Sequence, residues 1–278
     1  QLTPLSSHYS QSERLIKIEH YVNGVISRKG MPPRFWSLRQ RREYSSGMLC
    51  ELSKLLSFYQ PDHEYSEHIE AFWHACEKLG FLDCGCQTRL AGQLIHPGED
   101  SVAILEEFDA RIAEYAETPR FRRQTSDRRY EQQQRRERLD AYTRSLIGRY
   151  ARSLVLRVDL GYYKVAQVDI LVVYRHLDAF LDLIHRRMDL FDDTTGYVWC
   201  VEQGGESRGY HVHFTLVLPG HLHQRDGYLT NRLGALWREI TSGKGSYHSC
   251  NAEKAKFASR GTLGIGMIHR GDNVTIEN

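Results

Sequence analysis

Two runs of strand-forming residues lie close together in the stretch YVWCVEQGGESRGYHVHFTLVL, residues 197–218. Residues 197–203 and 210–218 are rich in β-branched and aromatic side chains, which is typical of strands. Gly204, Gly205 and Gly209 separate the runs and favour a loose turn. Pro219 follows the second run and ends it. The stretch therefore predicts a β-hairpin.

Histidines occupy alternate positions in the second strand of this hairpin. His211 and His213 are two residues apart, so their imidazoles point to the same side of the strand. If Glu202 of the first strand lies opposite His211, its carboxylate shares that face. A register slip of one residue would put Gln203 there instead. Two imidazoles and a carboxylate suit Mg²⁺, Mn²⁺ or Zn²⁺, so the hairpin predicts a divalent-metal site.

Helical and strand patterns alternate on either side of the hairpin. Residues 154–160 read as a strand, and residues 168–188 and 225–241 read as helices with apolar stripes. Residues 246–251 and 263–270 are candidates for short strands. The order β-α-β-β-α-β(β) predicts an α+β domain, with an antiparallel sheet, helices on one face and the other face free for a ligand.

The chain changes character near its middle. Residues 1–118 read as a helical N-terminal domain, residues 119–150 as an arginine-rich linker or exposed helix, and residues 151–278 as the α+β domain. From Pro119 to Arg152 there are eleven arginines against four acidic residues, a net charge of +7, while the chain as a whole carries +2. Such a block indicates either a polyanionic partner or a solvated helix with ion pairs such as Glu131–Arg135.

Composition excludes several other classes. No run approaches the ~18 apolar residues of a membrane helix, and no signal peptide is evident. Six cysteines are too few for a disulfide framework, so we expect a cytoplasmic protein. An alternative is a zinc site at Cys84 and Cys86 with His74, Cys76 and His96, but the spacing matches no common zinc pattern.

Several short motifs occur in a fixed order after residue 154. They are Leu156-Arg157-Val158-Asp159-Leu160, Gly196-Tyr197-Val198-Trp199 with Glu202, Gly209-Tyr210-His211-Val212-His213, Leu236-Trp237, Thr241-Ser242-Gly243 and Gly264-Ile265-Gly266. In these motifs the chain resembles the inovirus-type replication initiators of the YagK/YfjJ C-terminal domain family, part of the HUH (His-hydrophobic-His) endonuclease superfamily. The resemblance covers about 125 residues and leaves the N-terminal half uncovered.

The resemblance implies a ferredoxin-like or RRM-like domain that nicks single-stranded DNA for rolling-circle replication of a phage, prophage or plasmid. A tyrosine would form a 5′-phosphotyrosine link, while Mg²⁺ or Mn²⁺ held by His211, His213 and Glu202 polarises the phosphate. The partners it implies are single-stranded or origin DNA and a host helicase. In this family the tyrosine lies on a helix after the last strands, so we expect it beyond Asn278. Tyr247 is the alternative within the chain.

Five further residues are candidates for contact with DNA. Arg157 and Asp159 belong to the predicted strand beside the hairpin, where an ion pair between them is the other interpretation. Lys164, Arg208 and Lys244 offer positive charges for phosphates.

Other functions remain open from the sequence. Gly205 followed by His211 and His213 imitates the start of a cupin motif, but no acidic residue follows within residues 214–218. A histidine-triad hydrolase would need a third histidine at Thr215. A protein with the replication fold can also serve only as a DNA-binding or regulatory protein.

Overall fold

The computed structural model describes residues 11–28, 37–56, 59–82, 100–166, 168–204 and 209–277. The chain divides into two compact units. One consists of Arg14–Gln133, and the other of Gln1–Glu13 with Gln134–Asn278. None of the described helices combines the length and the apolar character that a membrane crossing requires.

The first unit is helical. Its elements are most of α1 (Gln11–Arg28), α2 (Leu38–Leu56), α3 (Glu67–Lys78), α4 (Asp100–Ala116) and the first half of α5 (Pro119–Gly148). They enclose a core of their own, whose fully buried side chains include Ile18, Phe72, Phe108 and Ile112. Near this core the buried carboxylate of Glu67 pairs with Arg128, which compensates for its removal from water.

The arginine-rich stretch forms one continuous helix, α5, of 30 residues. The division between the two units falls inside it, after Gln133. Arginine, glutamine and glutamate are good helix formers, so local propensity supports this element where an apolar stripe is lacking.

The second unit is built on a five-stranded antiparallel sheet, which makes the protein an α+β protein. Its strands are β1 (Arg152–Tyr162), β2 (Gly196–Gln203), β3 (Tyr210–Pro219), β4 (Gly245–Ser249) and β5 (Gly266–His269). The order is β2-β3-β1-β4, and β5 also pairs with β1. Helix α6 (Ile170–His185) follows β1, helix α7 (Asp226–Ile240) follows β3, and the short helices α8 (Lys254–Ser259) and α9 (Asn273–Ile276) flank β5.

Strands β4 and β5 share one edge of β1. Strand β4 pairs with the second half of β1 and β5 with the first half. Between them, the buried side chain of Asn251 accepts a hydrogen bond from the Arg157 backbone (2.8 Å) and donates one to the Val155 carbonyl (3.0 Å). This side chain replaces the strand partner that β1 lacks at this point, so the backbone polar groups stay satisfied.

The larger core of the sheet unit lies between the sheet and helices α6 and α7. Alternate residues of β1, such as Leu156 and Leu160, are fully buried against Phe180, Phe214 and Trp237. The indole of Trp237 also donates a hydrogen bond to the Gly161 carbonyl (2.8 Å). The alternate residues of β1 that the sequence places on one face are therefore the ones buried under the helices.

The opposite face of the sheet is only partly free, which corrects the expectation that helices cover one face alone. Leu146 and Ile147, at the end of α5, pack with Val155, Val217 and Ile268 into a second apolar cluster. This cluster covers the part of the face near the start of β1. The ends of β2 and β1 that carry Glu202 and Asp159 lie farther along the strands.

Candidate metal centre

The register of the hairpin brings the three predicted ligands to one face. Glu202 of β2 lies opposite His211 of β3, as predicted, and Cys200 lies opposite His213. Gly209 closes the turn with a positive φ of 60°, a conformation that favours glycine. Gln203, the alternative ligand, falls on the other face and donates to the Ser12 carbonyl (2.7 Å), so it is not part of the site.

The three side chains form a compact donor group. Candidate ligand atoms of Glu202, His211 and His213 all lie within 4.8 Å of one another. The Nε2 atoms of His213 and His211 lie 2.5 and 3.4 Å from Oε2 of Glu202. The side chains of His211 and His213 are 9% and 24% exposed, while that of Glu202 is 56% exposed. The group can therefore hold a metal ion and is open on the Glu202 side.

The second nitrogen of each imidazole has its own partner. Nδ1 of His213 donates to Oδ1 of Asp159 (2.6 Å), and Nδ1 of His211 lies 3.4 Å from the Gly209 carbonyl. Metal-binding histidines are commonly oriented in this way, because a proton fixed on one nitrogen leaves the lone pair of the other for the metal. Both Nε2 atoms are thus directed toward Glu202.

The charges around the group keep Glu202 ionised. The hydrogen bond between Glu202 and His213 lowers the pKa of Glu202 below its usual value, burial partly opposes this, and the interaction with His211 lowers the pKa further. Below the sheet surface, burial and then the charge of Asp159 raise the pKa of the Cys250 thiol to about 11. Cys250 therefore stays a neutral thiol, and the carboxylates supply the negative charge that a cation needs.

Arg157 and Asp159 lie on the same face as the donor group. Asp159 is paired across the sheet with His213, and Arg157 with Thr215. The Arg157 guanidinium approaches Nδ1 of His213 (3.5 Å) and Oδ1 of Asp159 (3.8 Å) while remaining 41% exposed. Asp159 thus supports His213 directly, and Arg157 presents a positive charge beside the site.

Two of the other three predicted contact residues, Lys164 and Lys244, belong to the described part of the chain. Lys164 is in a short 3₁₀ turn after β1, and Lys244 immediately precedes β4. Within the described part of the chain, neither lysine forms a hydrogen bond or ion pair with the three ligands. Arg208 lies outside the described residues, as do Cys84, Cys86 and His96 of the alternative zinc site.

Tyr247 is on the wrong face to serve as the nucleophile. It pairs with Leu160, whose side chain is buried in the helix-covered core. The Tyr247 ring lies against Gly234 of α7 and under the Arg238 guanidinium, and its hydroxyl donates to Asn231 (3.3 Å). The sequence could not show this, because the face of a short strand depends on its register with β1.

Two residues near the ligands were not predicted. Cys200, an exposed free thiol, lies opposite His213, and His248 of β4 lies opposite Asp159. Cys200 precedes Glu202 by two residues, so the period of two was a signal that could have placed it on this face. No sequence pattern placed His248 there, because it lies beside Asp159 only through the pairing of β4 with β1.

Comparison with known proteins gives no match among protein families, curated proteins or solved structures.

Proposed function

We propose that this protein is a metal-dependent endonuclease of the replication-initiator type, which nicks single-stranded DNA through a tyrosine nucleophile for rolling-circle replication. One observation carries the proposal. Glu202, His211 and His213 converge on one face, and the Nδ1 atoms of the two histidines have hydrogen-bond partners of their own in Gly209 and Asp159. Metal-binding histidines commonly have their second nitrogen held by a hydrogen bond, and this arrangement supports a cation site here.

The donor set fits a divalent cation. Glu202 and the Nε2 atoms of His211 and His213 would hold it, and we propose Mg²⁺ or Mn²⁺. When bound, the cation supplies a Lewis acid that polarises a phosphoryl oxygen of the scissile phosphate. Asp159 keeps the His213 ring oriented, and the exposed Arg157 guanidinium contributes a positive charge for a phosphate oxygen.

The proposed reaction transfers a phosphoryl group of the DNA from its 3′ oxygen to a tyrosine oxygen. A tyrosine oxygen forms a bond to phosphorus and gives up its proton, while the bond from phosphorus to the 3′ oxygen breaks. The 3′ oxygen takes a proton and becomes a hydroxyl that can prime synthesis, and the 5′ phosphate stays on the tyrosine. The tyrosine would come from a helix after the last strand, as the family resemblance implies.

The strand order supports assignment of the sheet unit to the ferredoxin-like or RRM-like class. The chain order β1-α6-β2-β3-α7-β4, with the sheet order β4-β1-β3-β2, is the order that two interleaved β-α-β units produce. We extend the proposal to single-stranded or origin DNA as substrate and a host helicase as partner, in the cytoplasm.

The test is formation of a covalent protein–DNA adduct. The natural polypeptide that contains these residues is incubated with a library of single-stranded oligonucleotides and Mn²⁺, and adducts are detected on a denaturing gel. We expect an adduct that chelation abolishes and that His213→Ala loses. His223→Ala is the matched control, because His223 also pairs with an aspartate, Asp193 (3.0 Å), outside the donor group. An adduct that persists in His213→Ala would contradict the proposal.

A DNA-binding protein without catalysis is the second candidate. It is favoured by the position of Tyr247, whose hydroxyl donates to Asn231 instead of facing the donor group. Metal-dependent DNA binding by the intact protein, with no adduct and no cleavage, would select this candidate.

A further inference from the structure

The middle of helix α5 is exposed on every side. From residue 129 to residue 142, Gln134 alone is half-buried and every other side chain is exposed. The helix packs through Phe121 near its start and through Leu146 and Ile147 near its end. Burial therefore does not explain the composition of the middle segment.

The arginines of α5 fall into two groups. Arg120, Arg122, Arg123, Arg128 and Arg144 each form an ion pair, with Glu70, Glu117, Asp127, Glu67 and Asp140. The second group lies in the exposed middle and has no ion pair within the described part of the chain. It consists of Arg129, Arg135, Arg136 and Arg138. The helical pair Glu131–Arg135, one explanation of the charge block, is not formed.

The second group presents its charges along the helix on more than one side. Arg129 and Arg136 are seven residues apart, which places them about 10 Å apart along one side. Arg135 and Arg138 are three residues apart and are neighbours on another side. Tyr130, next to Arg129, is 65% exposed. Guanidinium groups match phosphate oxygens, and an exposed aromatic ring offers a surface for a base.

We propose that residues 129–138 of α5 form a second nucleic-acid contact, which holds the phosphates of single-stranded DNA outside the metal centre. The choice of single-stranded DNA rests on the proposed function. The position of the contact does not rest on the proposed function, because it follows from the exposure of the middle of α5 and from the arginines there that have no ion pair. Residues 119–152 carry a net charge of +7 in a chain of +2, so the rest of the chain is net acidic. The positive charge is therefore concentrated in and around α5.

The experiment measures salt-dependent binding of a fluorescein-labelled oligothymidylate by anisotropy between about 50 and 200 mM salt. The test variant carries Arg129→Gln, Arg135→Gln, Arg136→Gln and Arg138→Gln. Each lost phosphate contact should reduce the slope of log K against log salt by about 0.7, so we expect a reduction of about 1.5 to 3. Glutamine keeps the helix propensity, and circular dichroism checks that the helix remains.

The matched control removes the same number of charges from the same helix. It carries Arg120→Gln, Arg122→Gln, Arg123→Gln and Arg144→Gln, whose guanidiniums already pair with exposed or half-buried acids. We expect its slope to fall by less than about 1. Equal losses in both variants would attribute binding to net charge and overturn the proposal. So would a test variant that binds DNA normally but no longer binds vesicles of anionic phospholipid.

A third variant separates this inference from the proposed function. His213→Ala should lose the covalent adduct but keep the salt slope of the unmodified protein. If no adduct forms in any variant and the arginine variant still loses its slope, the endonuclease is contradicted and the α5 contact stands. If adducts form and the arginine variant keeps its slope, the α5 contact is contradicted and the endonuclease stands.

Discussion

Asp159 is the hydrogen-bond partner that we expect to strengthen cation binding by His213. Its carboxylate accepts the Nδ1 proton of His213 at 2.6 Å, and this bond fixes both the tautomer and the ring plane. Asp159→Asn keeps the shape and can still accept the proton, but it removes the negative charge that makes the imidazole a stronger ligand. We expect Mn²⁺ affinity, measured by isothermal titration calorimetry, to fall about 10- to 100-fold.

Another aspartate–histidine pair in the sheet unit provides the control. Asp193 accepts from His223 at 3.0 Å, and neither residue belongs to the donor group. Asp193→Asn should leave Mn²⁺ affinity unchanged. Unchanged affinity in Asp159→Asn as well would mean that Asp159 serves only as the ion-pair partner of Arg157.

The hairpin was predictable because the information that fixes it is local. Alternation along residues 210–218 fixes which side chains share a face, and that alone placed His211 and His213 together. The contacts that the sequence did not predict depend on partners distant in the chain. Leu146 and Ile147 end a polar helix without any stripe, and only the fold shows that they cover part of the sheet. Asn251 likewise lies between β4 and β5 only because both pair with β1.

Helix α7 and strand β4 pack so closely that their contact requires glycine. A Cβ atom on Gly234 would lie 2.3 Å from the Tyr247 ring, whereas one on Gly227, in the first turn of the same helix, would meet nothing within 4 Å. Gly234→Ala should gain about 1 kcal/mol of helix propensity and lose more through overpacking, a net loss of about 1 to 2 kcal/mol. Gly227→Ala should be neutral or stabilising by about 0.5 kcal/mol. Urea unfolding measures both, and equal effects would contradict the close packing.

Each of the two units has a hydrophobic core of its own. The buried residues of the helical unit form one cluster, and those of the sheet unit form two others. The sequence predicted both kinds of core from periodicity, since a 3.6-residue period marks the helices and a two-residue period marks the strands. Separate cores allow separate unfolding, because the cooperativity of a transition follows shared burial.

Calorimetry with and without a metal ion should therefore distinguish the units. All three candidate ligands belong to the sheet unit, so Mn²⁺ should stabilise that unit alone. At a hundredfold excess over Kd, binding contributes about 2.7 kcal/mol, which corresponds to a rise of about 5 to 10 °C in the Tm of a unit of this size. We expect two transitions in differential scanning calorimetry, of which Mn²⁺ raises one, and no shift in a variant with His211→Ala and His213→Ala. A shift that survives in the double variant would place the cation elsewhere, and a single transition that moves as a whole would show that the two cores unfold together.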